Sequence, residues 1–283
     1  MSWDWRPEIL LLLGSAGLFY GRGWRRLRRR GRGQLATTGR LIAYLAGLLV
    51  LVITLMSPLD VLAGWLFFLH MIQHILMLTI APILLLLGDP FPFFIWGMPG
   101  GERIGRALFG RHAPFRRFLR QVMQPGVVWL TFVVFLWGWH DPHAYNAALR
   151  YPLLHDFQHL TFFLPGMMSW WGVIGAGPHL QRPLSPIVRV IYLLGTAAAN
   201  AVPGVIIALS GAPIYTYYES VPRLWGISVM QDQVISGLIM WIPGTMMYLL
   251  AALFFVGRVM NWVPNPAGLR DLRGLEPTRE VSW

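Results

Sequence analysis

Seven apolar runs, each near the length that crosses a bilayer, constrain this chain more than any other feature. They cover roughly 7–23, 40–57, 65–87, 124–139, 155–175, 187–209 and 229–257. About 20 apolar residues in a helix span the hydrocarbon layer. In lipid a single segment can satisfy its own backbone hydrogen bonds only as a helix. Prolines fall inside four runs, at Pro82, Pro165, Pro203 and Pro243. Such kinks are tolerated where neighbouring helices cover the freed carbonyls, so the runs should pack as a bundle around a polar interior. The charged fraction, 12%, is about half that of a soluble domain. The expected fold is an all-α, polytopic integral membrane protein with seven transmembrane helices. Residues 1–263 form one membrane domain and 264–283 a polar tail.

A net charge of +11 raises the question of nucleic acid, but the placement of the charge argues against it. All 23 basic residues are arginine. They gather in alternate connections: residues 22–40, residues 103–120, Arg182 and Arg189, and the segment after residue 257. Those connections hold 20 arginines, against Arg6, Arg150 and Arg223 in the others. This is the positive-inside pattern, with the N-terminus outside and the C-terminus cytoplasmic. It implies a multi-pass protein of a bacterial cell membrane whose arginines meet anionic lipids. Residues 88–123, where arginines mix with Leu, Phe and Ile, read as a basic amphipathic linker lying on the cytoplasmic face. No cleavable signal peptide is expected, because the arginine cluster follows the first apolar run. The chain has no cysteine, which excludes disulfides and thiolate metal sites.

The eight histidines are distributed unevenly on this topology. His112 and His179 fall in cytoplasmic loops and take no role. The other six come out on the external side: His70 and His74 early in the third run, His140 and His143 after the fourth, His155 and His159 at the start of the fifth. "HMIQH" and "HDFQH" share one spacing, and residues four apart project from the same side of a helix. Imidazoles at membrane depth should face the bundle interior and have a partner. His70, His74, His140, His155 and His159 are therefore candidate metal ligands. Asp60, Asp232, His143 and Met71 are candidates for the same shell or for orienting it.

Imidazole donors suit copper, zinc, iron or nickel, and divalent affinity peaks at copper. Thioethers such as Met71 would help to hold Cu(I). Haem held by two of the histidines is the alternative cofactor. No nucleophile–base pair, phosphate loop or dinucleotide fingerprint stands out. The histidine boxes of membrane diiron enzymes usually contain an adjacent His–His pair, absent here.

The segments "HMIQHILMLTIAPILLLLGDP", "WHDPHAYNAAL", "LHDFQHLTFFLPGMMSWW" and "DQVISGLIMWIPG" resemble the CtaG family of caa(3)-type cytochrome c oxidase assembly factors. The resemblance implies a metallochaperone rather than an enzyme, with haem–copper oxidase subunits as partners and copper as cargo. It carries the two histidine pairs, His140, Asp60 and Asp232 over to family positions. His143 departs from the pattern, which more often has an apolar residue there. A haem-binding redox protein and a copper transporter remain the alternatives. Whether the chain forms a homo-oligomer stays open.

Overall fold

A computed structural model describes residues 3–110, 112–178 and 180–262. The tail from residue 264 onward and His179 lie outside the described residues. Among the described residues all regular structure is helical. α1 (Pro7–Arg29), α2 (Thr38–Met56) and the short α3 (Pro58–Ala63) come first. α4 (Phe67–Ile75), a π-helical turn (Leu76–Ile80) and α5 (Ala81–Leu87) then form one continuous 21-residue helix. α6 (Pro90–Gly97), α7 (Gly101–Phe109) and α8 (Pro114–Val122) occupy the arginine-rich connection. α9 (Pro125–Trp139), α10 (Pro142–Arg150), α11 (Pro152–Ile174), α12 (Pro186–Leu209) and α13 (Val229–Trp262) complete the chain.

Helices thus occupy all seven apolar runs, but fewer than seven meet the description of a membrane span. Four are long and apolar enough to cross: α2, α4 through α5, α12 and α13. A fifth is added if α8 and α9, bent by 63° at their junction, are one broken span. The expected count of seven is higher for a physical reason. α1 ends in an arginine-rich turn, and α11 begins with His155, Asp156, Gln158 and His159. Both helices have the length, but their polar turns dilute the apolar window.

Two buried clusters hold the bundle. The larger joins α4, α9, α11, α12 and α13 through residues such as Phe67, Phe132, Phe162, Trp170 and Tyr248. The smaller joins α1, α2, α5 and α6, where Tyr20 stacks on Tyr44 at 3.9 Å between ring centroids. Leu45 and Leu49 on α2, Ile191 and Ile206 on α12, and Leu253 and Phe254 on α13 are exposed. A stable soluble monomer would not leave such apolar faces to water. On the arginine-rich connection, α7 and α8 expose Ile104, Leu108, Phe115 and Phe118.

Pro82 explains the π-helical turn. It has no N–H to offer the carbonyl four residues earlier, and its ring would clash there. The wider turn just before it relieves both problems. Gly166 on α11 then packs directly on this turn: a Cβ at that position would lie 2.8 Å from the Leu78 carbonyl oxygen. Gly166→Ala should lower stability by about 1–3 kcal/mol, the usual effect of overpacking. A fall in the unfolding temperature of the detergent-solubilised protein would register it; an unchanged value would mean that α11 is not pressed against the turn.

Two ion pairs mark the opposite ends of the bundle. Arg40, near the start of α2, lies 3.4 Å from Asp89, just after α5. Arg6, just before α1, holds Asp156 on α11 with bonds of 2.6 and 2.7 Å. The second end is the one that carries the histidines.

Candidate metal centre

Three helix ends bring the histidines together, two of them set by local sequence and the third by a distant side chain. α11 starts at Pro152, whose fixed φ suits the first helical position, so His155 and His159 stand one turn apart near its start. α9 stops at Trp139 because Pro142 restricts the residue before it, and Asp141 caps α10 by accepting from His143 and Ala144 N–H at 3.0 and 3.1 Å. His140 is left at the end of α9, where its Nδ1 bonds the Leu136 carbonyl at 2.6 Å.

α4 lacks a capping side chain of its own at Leu66. The missing cap comes from α13: Asp232 accepts from the Phe67 and Phe68 N–H groups, both at 2.9 Å. Arg223 donates to the same carboxylate at 2.8 Å and to the Trp65 carbonyl at 3.2 Å. Asp232 is almost fully buried. Its oxygens are thus engaged in fixing the helix that carries His70 and His74.

Ring nitrogens of His70, His155 and His159 all lie within 4.8 Å of one another. His70 and His159 are buried, and His155 sits half-buried at the rim. His74 stands beside this triad, its ring centroid 4.3 Å from His70 and 6.2 Å from His159. His140 lies beside His74, with 6.3 Å between their ring centroids. Five sequence-expected ligands therefore converge, three of them with ring centroids within 6.3 Å of that of His74.

His143 does not join them; it is exposed on α10. Asp60 sits on α3 and accepts from Gln73 Nε2 at 2.6 Å, and burial pushes its carboxyl up to about 6. Met71 is buried and lines a small cavity next to His74.

The donor atoms fit a metal ion. Nε2 of His70, His74, His140, His155 and His159 is buried with no hydrogen-bond partner in the protein, as is Nδ1 of His74. Leaving so many buried polar atoms unpaired would cost about 1–3 kcal/mol each. Two of the tautomers are held in the state that a metal needs. His140 gives its Nδ1 proton to the Leu136 carbonyl, which puts the lone pair on Nε2. Nδ1 of His70 lies 3.3 Å from the Tyr218 hydroxyl, which itself donates to the Ala63 carbonyl at 3.1 Å. That hydroxyl proton is then committed, so His70 donates from Nδ1 and keeps Nε2 free. Second partners that orient a ligating histidine in this way are the rule at metal sites.

The family profile of the cytochrome c oxidase caa3 assembly factors, CtaG, matches residues 18–261, most of the chain. The chain belongs to that family. The CtaG chain is also 29% identical, over 256 residues, to uncharacterized proteins of Mycobacterium bovis and Mycobacterium tuberculosis. A Mycobacterium leprae relative is 27% identical over 249 residues. Each comparison covers 84% of this chain, which spans 36% of the relative's length. No solved structure matches the chain.

Several residues around the candidate site gave no sequence signal. Tyr218 and Tyr145, whose hydroxyls lie 3.3 Å apart, come from a loop turn and from α10. Arg223 lies in an irregular loop. Asn200 had a signal, a lone amide in the apolar run "AAANAVPG", and it borders the cavity beside His74. Gln73 and Gln158, the shared glutamines of the two motifs, are both fully buried, and Gln158 has no partner for either amide atom.

Proposed function

We propose that this chain crosses the membrane seven times, with its N-terminus outside. In this reading it holds copper at the outer end of the bundle through His70, His74, His140, His155 and His159 and passes it to a cytochrome c oxidase during assembly. The observation that carries the reading is the convergence of three histidine nitrogens within 4.8 Å in a member of an oxidase assembly family. The orientation rests on the arginine distribution, 20 against 3. A role in assembly accords with a non-catalytic chaperone, and its partner is the oxidase. Anionic lipids would meet the arginines at the other end. A bacterial plasma membrane is the compartment that the family and the apolar helices suit.

Copper here is cargo, so the ligands must release it as well as bind it. His155 is the natural point of exchange, because it alone of the triad is not fully buried. Its neighbour Asp156 is neutralised by Arg6, which leaves imidazole as the donor at the rim. An incoming ligand from the oxidase would replace His155 first, and the buried His70 and His159 would follow. The cavity of about 20 Å³ beside the cluster suits an ion or a water rather than a porphyrin, which weighs against haem.

Metal analysis of detergent-purified protein tests the proposal. Copper should co-purify or bind on addition, and a His70→Ala/His74→Ala/His155→Ala/His159→Ala variant should hold none. Equal copper in both proteins, or a strong Soret band, would overturn it. Tyr218→Phe should weaken copper binding about 10- to 100-fold, the usual effect of losing a partner that orients a ligand. Competition with a chromophoric chelator measures this, and unchanged affinity would remove Tyr218 from the site.

A further inference from the structure

The cavity next to the triad has a chemistry of its own. It lies between α4, α9, α11, α12 and α13 and is lined by His74, His140, Met71, Met240, Thr79 and Asn200 among apolar neighbours. Its volume, about 20 Å³, exceeds the ~10–15 Å³ needed for a single water-sized occupant. Two imidazoles border it with buried, unpartnered nitrogens: His140 through Nε2, and His74, where both nitrogens are unpaired. Thr79 places its inner wall roughly 7 Å further along the helix than His74, at ~1.5 Å per residue.

A neutral imidazole has one lone pair, on one nitrogen at a time. His74 therefore cannot serve the triad and the cavity together. The triad is complete without it, since His70, His155 and His159 already meet within 4.8 Å. His74 and His140 have ring centroids 6.3 Å apart. That separation matches two imidazoles on opposite sides of one ion, given metal–nitrogen bonds of about 2.0 Å. Their surroundings are mostly apolar, and the remaining heteroatoms include two thioethers. Thioether and imidazole donors with no carboxylate favour a soft, singly charged ion.

We propose that this cavity is a second station for copper, binding Cu(I) through His74, His140 and a thioether from Met71 or Met240. It rests on the copper reading of the outer cluster and extends it: the chain holds two ions, one at the rim and one deeper. The ion in the inner station is shielded from the aqueous side by the triad itself.

Anaerobic titration of the purified protein with Cu(I) against a chromophoric chelator, followed by X-ray absorption at the copper edge, tests this. Wild type should take two equivalents and show sulfur scattering. Met71→Leu/Met240→Leu should take one and show none. A His70→Ala/His155→Ala/His159→Ala variant should keep one equivalent, with sulfur. Gly244→Ala touches no ligand, but its Cβ would lie 3.0 Å from Asn200 Nδ2 and 3.7 Å from Ile75, so it should crowd the cavity and lose the inner equivalent alone. Saturation of wild type at one equivalent without sulfur would overturn the inner station and leave the outer one standing. Two equivalents retained by the methionine variant would also overturn it. No copper in wild type would overturn both.

Discussion

His70→Ala should weaken copper binding by roughly 10³-fold or more, well beyond the 10- to 100-fold typical of losing an orienting partner. His155→Ala should have a clearly smaller effect. The difference follows from how each ring is held. His70 is fully buried, its Nδ1 meets the Tyr218 hydroxyl, and Tyr218 is itself fixed on Ala63 and beside Tyr145. A ring so constrained loses little freedom when a metal binds, so its removal takes away a nearly pre-formed bond. His155 stands half-buried at the rim, where water or a buffer ligand can replace it. Isothermal titration or chelator competition on the two single variants would rank them. Equal losses, or a greater loss for His155→Ala, would mean that the rim ligand anchors the ion and that the proposed order of release is wrong.

The convergence of the histidines was legible because it depends on helix periodicity. Residues four apart share a face wherever a helix forms, and hydropathy placed both pairs near helix starts on the same side. His140 was legible for a related reason, since a proline two residues later ends its helix. The number of crossing helices was less so. α11 carries polar residues in its first turns and α1 arginines in its last, so neither reads as an unbroken apolar span.

What sequence could not supply were contacts between distant segments. Asp232 looked like a ligand candidate because it opens an apolar run. In the structure it meets two backbone N–H groups 165 and 164 positions away, together with Arg223. Tyr218 reaches His70 over 148 positions. The cavity depends on five helices at once, so Met240 had no pattern to mark it and the lone amide of Asn200 had nothing to say where it pointed. The π-helical turn is an intermediate case: Pro82 announced a disturbance, but not that Gly166 of α11 would pack against it.

The Asp232–Arg223 pair leads to the second large effect. Asp232→Ala should destabilise the protein by about 2–4 kcal/mol, somewhat less than removing one member of a fully buried pair, because Arg223 keeps some contact with solvent. Arg223 would be left without its carboxylate, and the first two N–H groups of α4 would lose their acceptor. Removing both members should cost less than removing Asp232 alone, because no uncompensated charge remains; the Asp232→Ala/Arg223→Met variant tests that ordering by thermal unfolding in detergent. Asp232→Asn separates the cap from the charge, since one amide oxygen can still accept from Phe67 or Phe68. If the cap is what positions His70, three residues into α4, Asp232→Asn should keep more copper affinity than Asp232→Ala under conditions where both remain folded. If Asp232 were itself a ligand, both variants would lose copper alike while Arg223→Met left binding unchanged, and the carboxylate would have to be moved from the scaffold into the metal shell.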